Sequence, residues 1–407
     1  MPSAETRLIT ALRALPDCPR VLASGNFATP TQLLALVDTA LPTYRLHLLN
    51  AQRGIPDREG VLHETSFVGP GMRASDSLSY VPTRLSLLPL LFNGVLPPDV
   101  VVLHTSPPWQ GTVSLGTEVN VLPAAVEQVR RRGGLVLAQM NPRMPYTFGD
   151  AVLPLEVVDH AIEVDVPLAA PPRHPVDDAA RVIGERIAAR VPEGAVLQTG
   201  IGAVPDATLS ALTGHRGLGL WTEMFSDGVL ALDLAGALDP ETPITASFLF
   251  GSDELYSWVD RNPRVRMLRT ERVNDPSVIG RNNQMVSVNT ALQVDLFGQA
   301  NASRIGRRIY SGFGGQTDFV VGALHAPGGQ ALIALRSWHP KADRSTIVPL
   351  VDEPVTSFQM SAVVTEQGIA EVAGREQRAQ ARNLITEAAH PDARDELWEE
   401  AHALHLL

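Results

Sequence analysis

Along this chain one pattern recurs: a short apolar run, a glycine-containing turn, then a stretch with helical spacing. Val21-Leu22-Ala23 enters Ser24-Gly25-Asn26 and leads to Pro30-Thr31-Gln32-Leu33-Leu34, which predicts strand, turn and helix. Arg45–Asn50 alternates Leu46 and Leu48 with polar neighbours, as a half-buried strand does. The continuous apolar centre of Asp99–His104 predicts a strand buried on both faces. A helix opened by Pro123 and stopped by Gly133-Gly134 follows, then a strand at Leu135–Ala138. Strand, helix, strand is a βαβ unit, so the first half reads as α/β with parallel strands. Asp57–Ser79 is polar and shows no such pattern.

The proline-rich segment Ala169–Pro175 is the best candidate linker. Beyond it Asp177 or Asp178 caps a helix whose Ile183, Ile187 and Val191 share one face. The same alphabet then restarts at Val196. Strands are expected at Thr245–Phe250, Val265–Leu268, Ala331–Leu335 and Val363–Gly368, with a helix at Asp253–Asp260. Val286–Asn289 and Ala291–Leu296 look like paired strands around a polar turn, and Arg375–Leu407 like an amphipathic helical tail. The expected architecture is α/β: two similar domains, residues 1–170 and 176–407, although no residue-level repeat supports the similarity. A chain of 407 residues is too long for one ordinary core.

Composition narrows the function. At 44% hydrophobic and 19% charged the chain is an ordinary globular sequence, and no apolar run approaches the ~20 residues of a membrane span. No basic segment followed by an apolar one opens the chain, so the expected compartment is the cytoplasm. A net charge of −11 argues against nucleic acid or an anionic membrane as main partner. One cysteine, Cys18, excludes an intrachain disulfide and a cysteine metal knuckle. A Schiff-base or P-loop enzyme would depend on the single lysine, Lys341.

The stretch of greatest chemical interest is Leu197–Asp227. A strand runs into Gly200-Ile201-Gly202, and a helical pattern begins at Pro205-Asp206. Glycines there let backbone amides approach a ligand, and the helix start favours negative charge. Glu223 follows inside the mainly apolar Trp221–Phe225. A phosphate-type cradle followed by one carboxylate in apolar surroundings suits acyl transfer. The plainer alternatives are a turn that only closes a βα unit, a surface glutamate, and a Ser226-Asp227 helix cap. Ser311-Gly312-Phe313-Gly314-Gly315-Gln316 is the most glycine-dense loop; ligand binding or tight turning would each account for it.

Taken in order, Gly200–Ala207, Thr222–Gly228, Val273–Asn289, Ala291–Asn301, Tyr310–Phe319 and Val363–Glu371 resemble segments of the acetyl-CoA hydrolase/transferase family. Ser106–Gly116 and Ala138–Asp150 extend the resemblance into the first half. It implies two CoA-transferase-type open parallel-sheet domains with helices on both faces and the active site in a cleft between them. It also implies ping-pong transfer of CoA between acyl-CoA and short-chain carboxylic acids through a glutamyl-CoA thioester. The nucleophile corresponds to Glu223. The CoA-contacting loop corresponds to Gly200, Ile201, Gly202, Ala203 and Val204. The loop giving backbone amides near the thioester corresponds to Ser311, Gly312, Phe313, Gly314, Gly315 and Gln316, centred on Gly314 or Gly315. An asparagine holding the carboxylate or oxyanion corresponds to Asn274. CoA enters as substrate and product, with no metal or redox cofactor, and the expected assembly is a homodimer.

The chain departs from the family pattern at three places. Trp109-Gln110-Gly111 stands for an acid-His-Gly segment, Thr147-Phe148-Gly149-Asp150 for Thr-His-Gly-Asp, and Thr365-Glu366-Gln367-Gly368 for Thr-Glu-Tyr-Gly. The first two point to an altered acyl preference. Three alternatives stay open: hydrolysis of acyl-CoA through the same intermediate, a non-catalytic CoA-binding protein, and Glu366 as nucleophile.

Overall fold

A computed structural model describes residues 3–170 and 175–407, so residues 171–174 of the expected linker lie outside the described residues. The chain forms two compact units. The first comprises Met1–Pro171, Thr245–Val273 and Ile309–Gly314; the second comprises Pro172–Ile244, Asn274–Arg308 and Gly315–Leu407.

In the first unit seven strands make one sheet: β1 (Arg20–Ala23), β2 (Tyr44–His47), β3 (Val61–Thr65), β4 (Ser79–Tyr80), β5 (Val100–Thr105), β6 (Leu135–Met140) and β7 (His160–Glu163). Their spatial order is β7-β6-β5-β1-β2-β3-β4, and all pairs are parallel. Val100 to Leu103 are fully buried, as a central strand covered on both faces requires. Helix α1 (Ala4–Arg13), which the pattern did not predict, starts where the Ser3 hydroxyl accepts a hydrogen bond from the Thr6 amide. Its Leu8 and Leu12 pack with Leu33, Leu34 and Val37 of α2 (Thr31–Ala40) against Val21, Leu46 and Val102. Helix α3 (Leu122–Arg132) ends on Gly133 in the left-handed conformation, as its sequence predicts. The unpatterned segment 57–79 contributes β3, whose His63, Glu64 and Thr65 are all buried. Tertiary partners compensate that polarity: Glu64 accepts hydrogen bonds from Arg20 and sits against His47.

The second unit has strands β8 (Val196–Thr199), β9 (Gly219–Trp221), β10 (Met285–Thr290), β11 (Gln330–Ala334), β12 (Ala362–Val364) and β13 (Ile369–Glu371). Within it they run β13-β12-β11-β10-β8-β9, parallel except for the antiparallel edge pair β12–β13. Helices α4 (Asp178–Ala188), α5 (Ala203–Ala211), α6 (Asp227–Leu234) and α7 (Gln316–His325) connect them. The Asp177 carboxylate caps α4 by accepting from the Ala180 amide. In each unit the first strand sits where strand order reverses, β1 between β2 and β5, β8 between β9 and β10. Ligands of open α/β sheets bind beyond the carboxyl end of such a strand, and Gly200-Ile201-Gly202 stands there in the second unit.

Three local expectations are corrected. Thr245–Phe250 is two short strands, Ile244–Ala246 and Phe248–Leu249. Val286–Asn289 does not pair with the following strand. β10 lies between β8 and β11, while Gln293–Asp295 pairs with Ala300–Asn301 and Ile347–Val348. Burial of β10 on both faces outweighs the local hairpin pattern. The tail is broken into Gln377–Asn383, a π-helical turn at Leu384–Ala388, and Arg394–Ala403, because Pro391 cannot continue a helix. Among the described residues no helix is long and apolar enough to cross a membrane.

Candidate functional site

The loop after β8 is built for exposure. Gly202 adopts φ +110° and ψ −178°, a conformation only glycine takes readily, and it caps α5. The helix begins at Ala203, two residues before the expected Pro205, which still falls in the first turn. Space is open where a Cβ would stand at Gly200 or Gly202, and Ile201 is half exposed. Backbone amides at this helix start therefore face room for a ligand.

Glu223 lies between β9 and the buried pair Met224-Phe225. The preceding residue fixes it. Thr222 is fully buried, and its hydroxyl reaches the carbonyls of Thr199 (3.2 Å) and Met224 (2.9 Å). The Glu223 turn is thereby tied to the end of β8.

Asn274, fully buried, donates from Nδ2 to Glu223 Oε2 at 2.7 Å. Gly315 completes the group. A Cβ built there would stand 1.8 Å from Glu223 Oε2 and 2.1 Å from Asn274 Nδ2, so only glycine allows the two side chains their place. Its φ of −100° is open to any residue; the requirement is room, not conformation. Burial in this pocket of protein pushes the Glu223 carboxyl up to about 7, repulsion from Asp318 adds to the rise, and the Asn274 hydrogen bond opposes it. A carboxylate poised near neutrality, with one oxygen held, can act as base or nucleophile.

The structure thus brings together three of the residues singled out by sequence: Glu223, Asn274 and Gly315. Gln316, next in chain, turns aside and donates from Nε2 to the Thr290 carbonyl. Ser311, Gly312, Phe313 and Gly314 belong to the first unit. There the Ser311 carbonyl accepts from the Val68 amide and the Gly314 carbonyl from Leu85, while Gly312 and Gly314 pack on Phe67. Glu366 is engaged elsewhere, accepting from the amide and hydroxyl of Ser337.

Sequence reading missed Thr222 and Asp318. Both lie inside segments already marked, but only folding shows that Asp318, fully buried in the first turn of α7, faces electrostatically toward Glu223. It also missed a buried amide–hydroxyl network at the ends of β8 and β10. Gln198 Oε1 accepts from the Ser287 hydroxyl and from Asn289 Nδ2.

Comparison with known proteins gives the family. Residues 251–401 match the acetyl-CoA hydrolase/transferase C-terminal domain. A 4-hydroxybutyrate coenzyme A transferase of Clostridium kluyveri is 36% identical, with 97% of each chain covered. Among solved structures, a 4-hydroxybutyrate CoA-transferase from Porphyromonas gingivalis superimposes with a TM-score of 0.82 at 32% identity, covering 99% of this chain and 97% of that one. RipA from Yersinia pestis does so with a TM-score of 0.92 at 27% identity, covering 98% and 97%. Similarity of this extent, over a fold of two α/β units, makes this chain an enzyme of the acetyl-CoA hydrolase/transferase family.

Proposed function

We propose that the protein is an acyl-CoA:carboxylate CoA-transferase that works by ping-pong through a thioester on Glu223. The observation carrying this reading is the Glu223 carboxylate, held at one oxygen by Asn274 beneath Gly315 and poised near pH 7. In the first step a Glu223 oxygen attacks the thioester carbonyl, and the C–S bond breaks to give an acyl-glutamyl anhydride and CoA thiolate. The thiolate attacks the glutamyl carbonyl, and the first carboxylic acid leaves as its carboxylate. Attack by a second carboxylate reverses both steps and releases its CoA ester, returning Glu223 unchanged.

Each step passes through a tetrahedral oxyanion. Asn274 Nδ2 and the backbone amides of Gly314 and Gly315 are the donors this reading assigns to it, a role worth several kcal/mol in related chemistry. The open helix start at Gly200–Val204 supplies amides for CoA. A cytoplasmic homodimer belongs to the same reading and rests on the family resemblance; light scattering at the gel-filtration peak tests the dimer.

Intact-mass measurement with acetyl-, propionyl- and butyryl-CoA, followed by peptide mapping, tests the mechanism. The expected result is a CoA-sized adduct on the peptide containing Glu223, discharged by an added carboxylic acid and absent in Glu223→Gln. An adduct that decays equally fast in plain buffer would reassign the enzyme to hydrolysis with water as acceptor. CoA binding with no adduct from any thioester would overturn the reading.

A further inference from the structure

The first unit contains a cavity of about 650 Å³ whose lining includes none of the catalytic or CoA-binding residues assigned above. That volume falls within the range of small-molecule sites, roughly 300–1,000 Å³. We propose that it binds a monoanionic aromatic carboxylate, with the ring against Trp109 and Tyr146 and the carboxylate on Arg261.

The aromatic wall joins Trp109, which departs from the family pattern, to Tyr146, the residue just before a second departure at Thr147–Asp150. Trp109 and the buried Tyr146 meet edge to face, ring centroids 4.9 Å apart at 78°. Such a wall offers both a ring face and a ring edge to an incoming aromatic group. Pro107, Pro108, Pro142 and Pro145 contribute rigid apolar surface around it.

Arg261 supplies the charge. Its guanidinium lies 5.4 Å from the Trp109 ring centroid, and among the described residues no carboxylate is within ion-pair distance of it. The other lining arginine, Arg143, is already paired with Asp165 at 2.7 Å. A guanidinium stacked on an aromatic ring keeps its forked donors for a carboxylate in the ring plane's vicinity.

The arrangement is fixed before any ligand arrives. Arg261 is held at φ +52°, a left-handed conformation that is strained in a non-glycine residue. Its amide donates to the Tyr146 carbonyl (2.8 Å), and the Tyr146 amide donates to Asp260 Oδ1 (2.7 Å). The Tyr146 phenol bonds Thr112 Oγ1 at 2.6 Å. Trp109 and Thr112 exchange backbone hydrogen bonds across Gln110 and Gly111, both at positive φ. Backbone strain on both sides of one aromatic wall is what a preorganised binding site stores.

Asp253 and Asp260 also line the cavity. Two carboxylates repel a phosphate or dicarboxylate, which selects a ligand with a single negative charge.

The test is calorimetric titration of the full-length protein with benzoate and 2-naphthoate, with 2-naphthamide as the neutral control. Saturable one-to-one binding of an aromatic carboxylate is expected, at least tenfold tighter than the amide. Arg261→Gln weakens it at least tenfold, Arg261→Lys recovers part of the loss, and Glu223→Gln binds like wild type. Arg261 is exposed, so these variants keep the fold, which thermal melting verifies. Absence of saturable binding, indifference to Arg261→Gln, or loss of binding in Glu223→Gln would each overturn the proposal.

Discussion

Replacing Gly315 by alanine isolates one methyl group at the centre of the proposed chemistry. The backbone there, at φ −100° and ψ 1°, accepts alanine without strain, so the effect comes from the Cβ alone. That Cβ would lie 1.8 Å from Glu223 Oε2 and 2.1 Å from Asn274 Nδ2, against an ordinary contact beyond about 3.4 Å. The carboxylate must swing away by roughly 1.5 Å, which breaks its 2.7 Å hydrogen bond to Asn274. A hydrogen bond to a charged group is worth about 1.5–3 kcal/mol, so loss of that orientation lowers the rate of adduct formation roughly 10- to 150-fold. The clash is with the ends of two side chains and not with backbone, so the melting temperature should fall by only a few degrees. The assay is single-turnover formation of the CoA adduct by quenched-flow mass spectrometry, beside a thermal melt. Gly214→Ala, where space is open and no part of the proposed chemistry lies, serves as control and should form adduct at nearly the wild-type rate. If Gly315→Ala reacts within twofold of wild type, the Glu223–Asn274 contact does not orient the nucleophile and the reasoning fails.

Adduct formation needs ionised Glu223, so its rate at saturating thioester should rise about tenfold per pH unit and level off above about 7; Asp318→Asn removes a repelling charge and shifts the midpoint downward. A profile already flat from pH 5 upward would contradict the raised carboxyl. Glu366→Gln should cost stability, since Glu366 accepts from Ser337, while the Glu223 adduct still forms; a lost adduct in a folded variant would move the nucleophile to Glu366. His104 is buried, its Nδ1 donating to the Ala28 carbonyl and its Nε2 accepting from Asn141, and burial lowers it from 6.5 to about 4. Its folded pKa is depressed, so the unfolded state takes up a proton first, and stability drops by about 2 kcal/mol between pH 7.5 and 5. Urea midpoints across that range should show less loss in His104→Gln. Glu118, almost fully buried, accepts from Asn26 (2.7 Å) and Asn120 (3.2 Å), both in left-handed conformations. Glu118→Ala leaves those amides without their acceptor and should lower stability by about 2–4 kcal/mol, read from chemical denaturation.

Sequence by itself determined what depends on neighbours a few residues apart. The apolar run Val100–Leu103 could only be a strand covered on both faces, and Ile183 and Ile187 had to share a buried helix face. Gly133 after a run of arginines had to end a helix, and Gly202 marked a turn that other residues enter poorly. Order of motifs then identified the family and singled out Glu223, Asn274 and the glycine loop as candidates. Tertiary structure decided whatever depends on residues far apart in the chain. The pairing of β10 with β8 and β11 rather than with its neighbour is such a case, because sheet burial exceeds the preference of a local turn. So are the strand hidden in the polar segment 57–79, whose buried Glu64 finds its partners in β1 and β2, and the proton affinity of Glu223. A glutamate's spacing in sequence carries no information about the water it loses. Its pKa is set by burial, by Asp318 and by an asparagine 51 residues away, groups that meet only when the second unit folds.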